Sequence, residues 1–416
     1  VTGIKIVALA WRNLWRQRRR TVLTLISIAF GGFLAVLMTA MQDRSFADFI
    51  DTAARLGSGH VTLQHPDYQD KPSLSRTVTR TDAKRDTARE DQGVVQAVDR
   101  VSGQTMVSTA SDSFGAIFIA YDPALETAES FEFADDLLAG EVFAGAADKG
   151  IVLGSVLARN LGAELGDKVV FTMTDRNSAI VTDMERVIGI VQTGAPSLDA
   201  ALVLLPIERV RRVVGYDPTE STQVALFLED GRRSLDAAER MRGALDPGVA
   251  VLTWDEIQPE IKAFVAMKVG GSRVFEIVIA VLVAAGIFNT MFMSVMERTR
   301  EFGIMMAIGY SPRQLFALVM AESTLLAVMG LVLGCLVTAG PYAYLATHGI
   351  DLSQVYAESG AVEISGVGFD TTLRIGIFPE NALAIAVAVV LSTVLAGIWP
   401  AYKAGRVEPV ESINLV

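Results

Sequence analysis

Four long apolar runs dominate this chain, and each is long enough to decide what surrounds it. Residues 21–42 carry no charged side chain, and residues 271–296, 314–340 and 381–400 are comparably apolar apart from Arg273, Glu276 and Glu322. At about 1.5 Å of rise per residue, some 20 residues cross a hydrocarbon core of about 30 Å. A mean hydropathy of +0.39 over the chain agrees with a membrane class. The expected fold is therefore four transmembrane α-helices, with a large polar domain inserted between the first and the second.

Charge sets the expected orientation. Arg12, Arg16, Arg18, Arg19 and Arg20 precede span 1; Arg298, Arg300 and Arg313 lie between spans 2 and 3; Lys403 and Arg406 follow span 4. Short segments rich in Arg and Lys stay in the cytoplasm, and alternation through four spans puts all three there. The expected organisation is then a cytoplasmic amphipathic elbow helix at 1–20, followed by span 1 at 21–42. An outer domain with a stalk helix occupies 43–270, and span 2 follows at 271–296. A cytoplasmic segment at 297–313 leads to span 3 at 314–340, an outer loop at 341–380, span 4 at 381–400 and a cytoplasmic tail at 401–416. In the elbow, Trp11 and Trp15 share a face beside Arg12 and Arg16, as in an interfacial anchor. The first run is longer than a signal-peptide core and lacks a small-x-small site, which favours an uncleaved anchor.

The region 43–270 holds 36 acidic and 23 basic residues, so the net charge of −11 belongs to it. That balance speaks against nucleic-acid binding. An alternating pattern predicts a strand at 59–64, and further strands are read at 114–121, 151–154, 168–173, 187–191, 201–205 and 224–228. Helices are expected at 155–165 and 234–245, and 73–92 reads as a solvated helix or a loop. The class is α+β. From Trp254 the pattern is helical, interrupted near Pro259, and continues into span 2 as a lever.

Catalytic signatures are missing. No Gly-Lys dipeptide occurs, which excludes a phosphate-binding P-loop, and neither HExxH nor Gly-x-Ser-x-Gly is present. Cys335 is the single cysteine, so no thiolate zinc site can form. His60 and His65 fall on opposite faces of a strand. No metal site and no catalytic group are expected, and the chain is read as a non-enzyme without a cofactor of its own. Within the spans, Glu322 is an ionisable group that hydrocarbon tolerates only when paired or hydrated. Asn289 offers an interhelical hydrogen bond, and Gly330 with Gly334 permits close helix approach.

Residues 296–316 read MERTREFGIMMAIGYSPRQLF. They resemble the signature E-R-x-x-E-[IF]-G-[IV]-x-x-A-x-G-x-[ST]-x-x-Q-[IL] of the FtsX-like permeases, the membrane subunits of MacB/Lol-type ABC transporters. The match runs through Glu297, Arg298, Glu301, Phe302, Gly303, Ile304, Ala307, Gly309, Ser311, Gln314 and Leu315. Residues 10–21 and 399–411 are similar to the family's flanks of spans 1 and 4. Stretches at 57–68, 151–169 and 349–353 are similar to its lipoprotein-releasing LolC/LolE-type branch.

The resemblance implies a MacB-like periplasmic core and a multi-pass protein of the bacterial inner membrane, with both termini cytoplasmic. It implies a dimer with a second copy or a paralogue, gripped by two copies of a cytoplasmic ABC ATPase that binds ATP and Mg. Glu297, Arg298, Arg300, Glu301, Gly303, Ala307 and Gly309 would form the ATPase-coupling helix. The implied cargo is a lipoprotein or another hydrophobic molecule, with a possible periplasmic partner. Export of small hydrophobic molecules or peptides, and FtsX-like signalling to cell-wall hydrolases, are the alternatives. The stretch 174–185 is short and polar where chaperone-linked Lol permeases project a hairpin.

Overall fold

The computed structural model describes residues 3–127, 130–131, 137–352, 363–364, 367–368 and 372–406. Residues 408–411 of the C-terminal resemblance, and Ser353, lie outside them. Two compact units divide the chain: Val1–Ser45, Ala266–Asp351 and Thr372–Val416 form one, and Phe46–Val265 with Leu352–Thr371 the other.

The first unit is helical. Four of its helices are long and apolar enough to cross a membrane. Span 1 is Arg18–Ala53, span 2 Pro259–Glu297, span 3 Pro312–His348 and span 4 Pro379–Ala404. A separate amphipathic helix, Gly3–Arg16, precedes span 1. Span 3 continues through Pro341 to His348 where an outer loop is expected from 341. Tyr342, Tyr344 and Leu345 prolong the apolar sequence there, and a proline inside a membrane helix is tolerated when neighbouring groups satisfy the freed backbone. Just beyond it, Ile350–Asp351 pairs with Thr372–Leu373. Span 4 likewise runs to Ala404, into the expected tail.

Small residues set the helix crossings. A Cβ on Gly330 would stand 2.5 Å from Ile28 Cγ2, so spans 1 and 3 meet there with no room for a side chain. Gly397 lies against Ser323, joining spans 3 and 4, and Gly31 against Val283, joining spans 1 and 2. At the other end of the unit, Asp43 accepts hydrogen bonds from Phe378 N and from Asn381 Nδ2, the latter at 2.8 Å, which straps the start of span 4 to span 1.

The second unit carries strands β1 (Val61–Gln64), β2 (Val78–Thr79), β3 (Val94–Ser108), β4 (Ser113–Tyr121), β5 (Leu137–Gly140) and β6 (Ile151–Gly154). There follow β7 (Lys168–Thr174), β8 (Ile180–Val191), β9 (Leu202–Pro206), β10 (Glu220–Ser221), β11 (Gln223–Leu228) and β12 (Ala250–Thr253). Ten of them form a mixed sheet ordered β12-β1-β11-β3-β4-β9-β6-β8-β5, with β7 paired to β3 and β8. Helices Ser155–Leu161, Ile207–Val214 and Ser234–Ala244 bury one side each against it. The first ends four residues before the expected 165, where the backbone turns at Gly162.

Three features add to the sequence pattern. The short, polar stretch 174–185 closes a β7–β8 hairpin through a turn at 175–179, paired out to Thr174 and Ile180, with Ile180 exposed at its tip. Residues 73–92 hold a helix at Thr81–Arg89 with Lys84 and Ala88 buried. β3, the longest strand, has no signal in the apolar pattern because it buries Asp99 and Arg100 side by side on opposite faces. Asp99 meets Arg85 and Arg211 at 3.0 and 2.9 Å, and Arg100 meets Glu126 at 2.8 Å. His60, expected as no metal ligand, receives a hydrogen bond from Leu228 N at Nδ1 and contacts Asp51 through Nε2 at 2.9 Å.

Candidate functional site: the segment between spans 2 and 3

The segment singled out by the sequence is a short helix with a joint at each end. Span 2 stops at Glu297, and Arg298 leaves helical geometry at φ −100°, ψ 12°. The helix Thr299–Ala307 follows, and the chain then turns at Gly309, whose φ of +105° is open to glycine and costly for other residues. Span 3 begins with a capping box. Gln314 N donates to Ser311 Oγ at 3.3 Å, and Ser311 N donates to Gln314 Oε1 at 2.8 Å, with Pro312 in the first turn. Ser311 and Gln314 of the signature thus start a helix, and Gly309 makes the turn before it.

The short helix has two faces. Phe302 is fully buried and Gly303 is buried, in a core shared with Leu14, Leu315, Leu318, Val319 and Ala401. The opposite face presents Arg300, Ile304, Ala307 and Ile308, the last 72% exposed. Their spacing of three to four residues aligns them along one side.

The charged residues of the signature are engaged within the chain. Arg298, 8% exposed, donates from Nη1 to both carboxylate oxygens of Glu322 at 3.0 Å. Its Nε lies 3.3 Å from Glu301, and its guanidinium sits over the Phe302 ring at 5.1 Å. Glu322, only 3% exposed, also accepts from Asn13 Nδ2 at 2.8 Å. Glu301 reaches Arg16, and Glu297 reaches Arg20 at 2.8 Å. Removing two charges from water is unfavourable, and this cluster offsets the cost by pairing them and adding a neutral donor. The carboxylates expected to grip an ATPase, Glu297 and Glu301, therefore face the N-terminal helix and the start of span 1.

The remaining expected residues are placed apart. Trp11 and Trp15 are exposed and meet edge to face at 5.9 Å, beside exposed Arg12. Asn289 lies on an exposed face of span 2 and makes no hydrogen bond to a described residue. Gly330 contacts Ile28, while Gly334 has 3.5 Å of room to Ala29. Asn13 lies in the 10–21 stretch that resembles the family, but nothing in that resemblance signals its pairing with Glu322. Its only local signal is an amide on the face of an amphipathic helix that otherwise turns Ala10 and Leu14 inward.

Two family models and several known proteins match this chain. The family described as FtsX-like permease C-terminal matches residues 273–409, and the MacB-like periplasmic core domain matches residues 21–244. The lipoprotein-releasing system transmembrane protein LolC of Xylella fastidiosa is 24% identical over 276 residues, 64% of each chain. The macrolide export ATP-binding/permease protein MacB of Nitrobacter winogradskyi is 25% identical over 429 residues, 95% of this chain and 58% of that protein. The matched part thus spans less than two thirds of either relative's length. The periplasmic region of MacB from Actinobacillus actinomycetemcomitans aligns with a TM-score of 0.35 at 14% identity, over 49% of this chain and 92% of that one. The first two matches together take in span 1, the sheet through β11, most of span 2, the segment just described and spans 3 and 4, and the chain belongs to the FtsX-like permease family, with a MacB-like periplasmic core domain in its N-terminal part.

Proposed function

We propose that this chain is the membrane subunit of an ATP-driven transporter of the MacB/Lol kind, working as a pair around a separate cytoplasmic ATPase that binds ATP and Mg. The observation that carries this reading is the uncovered face of the jointed helix, where Arg300, Ile304, Ala307 and Ile308 line up while the opposite side is packed. An apolar strip on a charged loop is what a partner's cleft would cover. In this reading the protein sits in the inner membrane with both termini and residues 297–313 in the cytoplasm. The large domain is periplasmic, and span 2, one helix from Pro259 to Glu297, is a mechanical connection between the two sides. The chain itself catalyses nothing.

Lipoprotein extraction is the favoured task. Each acyl CH₂ drawn from a bilayer costs about 0.8 kcal/mol unless sheltered. A cavity of about 250 Å³ among spans 1, 3 and 4, lined by Ile28, Val36, Leu331, Tyr342 and Val389, is of the right polarity to shelter part of a chain. Export of a small hydrophobic molecule is the second reading, favoured by the match to MacB along 95% of this chain. Depletion separates them: lipoproteins retained in the inner membrane support the first, and sensitivity to hydrophobic drugs supports the second.

The double variant Ile304→Asp/Ile308→Asp is expected to lower ATPase co-purification by roughly tenfold or more, as loss of a docking centre does, with membrane insertion unchanged. Glu301→Arg leaves that face intact and is expected to retain the ATPase while weakening coupling. Unchanged ATPase recovery with the double aspartate variant would overturn the docking assignment. So would labelling of a cysteine at position 300 from the outer side.

A further inference from the structure

We propose that Arg298 and Glu322 form a latch through which the short helix Thr299–Ala307 drives span 3 rather than span 2. This rests on the reading that an ATPase moves that helix. The short helix is attached covalently at both ends, but both attachments are breaks in helical geometry, at Arg298 and at Gly309. An interrupted helix passes little bending or torque across the interruption, because the i to i+4 ladder that stiffens it is missing there. Movement of the short helix must then travel through side chains.

Four ion pairs hold that region, and their burial ranks them. Arg16–Glu301 has side chains 67% and 31% exposed, and Arg20–Glu297 has 21% and 49%. Arg298–Glu301 is intermediate at 9% and 31%, whereas Arg298–Glu322 stands at 9% and 5%. Exposed pairs are screened and contribute little. A buried pair breaks only at the expense of leaving a bare charge in an apolar site. Glu322 lies ten residues past Pro312, about 15 Å along span 3. A push on Arg298 therefore acts deep on the body of span 3, not at its capped first turn.

Span 2 is held to its unit chiefly by apolar packing, with Val283 against Gly31 and with Ile287, Met291 and Val295 buried. Val274, Phe275, Val281 and Leu282 are each more than 60% exposed. Its polar ties include Thr39 Oγ1 to Glu276 and Gln42 Nε2 to the Lys268 carbonyl, both at 3.0 Å, and the part-exposed Arg20–Glu297 pair at 2.8 Å. Asn13 adds the N-terminal helix to the latch, since its amide donates to the same Glu322 oxygen that Arg298 holds. Arg298 and Glu322 are positioning residues in this account: they touch neither nucleotide nor cargo.

Cys335, the single thiol, sits on span 3 and provides the probe. The full chain would carry a bimane fluorophore at Cys335, be assembled with its ATPase and be reconstituted in nanodiscs. In the parent, ATP with vanadate is expected to shift the bimane emission. Glu322→Gln, which keeps the shape and the Asn13 partner, is expected to leave ATPase binding in place and turnover within about twofold while the shift falls by roughly tenfold, a split that general misfolding would not produce. The exchange Arg298→Glu/Glu322→Arg is expected to restore at least half of the response. A full emission shift in Glu322→Gln would overturn the latch alone. A parent chain that binds no ATPase would overturn the transporter reading and the latch with it. A Glu322→Gln chain that loses ATPase binding and response together would assign the pair to folding and remove it as a latch.

Discussion

Glu126→Ala is expected to destabilise the sheet-bearing unit by about 3–5 kcal/mol, because it strands a buried cation. Arg100 is fully buried in β3, with Nε 2.8 Å and Nη2 3.1 Å from the two Glu126 oxygens. Its other donors reach the carbonyls of Gly57 at 2.6 Å and Ser130 at 2.7 Å. The Phe131 and Phe227 rings lie 5.2 and 5.4 Å from the guanidinium. Those carbonyls and rings cannot replace a counter-charge. Amide hydrogen exchange along β3 and β11 in the intact chain measures the loss locally, without requiring the helical unit to unfold. The double replacement Arg100→Met/Glu126→Leu should recover most of the deficit, since an apolar pair pays no desolvation penalty. A deficit below about 1 kcal/mol in the single variant, the size of a surface pair, would show that water reaches this site.

The second large effect is expected at a helix crossing. Gly330→Leu should cost at least about 1–3 kcal/mol, the range for overpacking a tight contact. The first added carbon would stand 2.5 Å from Ile28 Cγ2 and 2.8 Å from Ile28 Cβ. Neither atom can yield without moving span 1, because both are close to its backbone. Gly334→Ala, one turn away, meets nothing closer than 3.5 Å and should be nearly neutral. Membrane helices associate through such small-residue contacts, having no hydrophobic drive toward each other. Thermal unfolding in detergent would rank the two variants, and Gly330→Leu combined with Ile28→Ala should regain part of the loss. Equal stability of the Gly330→Leu and Gly334→Ala chains would refute the close crossing.

Much of the strand pattern was legible in the sequence where the run is almost wholly apolar, as in β6, β9 and β11, whose residues are all buried. It failed at β3, whose sequence VVQAVDRVSGQTMVS puts charges at buried positions. Both faces of that strand are covered, so Asp99 and Arg100 must find partners from elsewhere: Arg85 and Arg211 for one, Glu126 for the other. No periodicity rule can see those partners. The candidate site shows the same division. Its place between spans 2 and 3 is readable from the signature, whereas the pairing of Glu297 and Glu301 with Arg20 and Arg16, more than 270 residues earlier, is not.

The sequence by itself determined the four apolar helices, since some 20 consecutive nonpolar residues are a local property that solvent alone decides. It likewise determined the Ser311–Gln314 cap, whose two hydrogen bonds close within four residues. Only the tertiary structure decided that Glu322 is held by Arg298 and Asn13, and that Gly330, not Gly334, is the position where a side chain cannot fit. Charge pairing and steric exclusion act over a few ångströms between segments up to 309 residues apart, and which segments meet is settled when the helices pack.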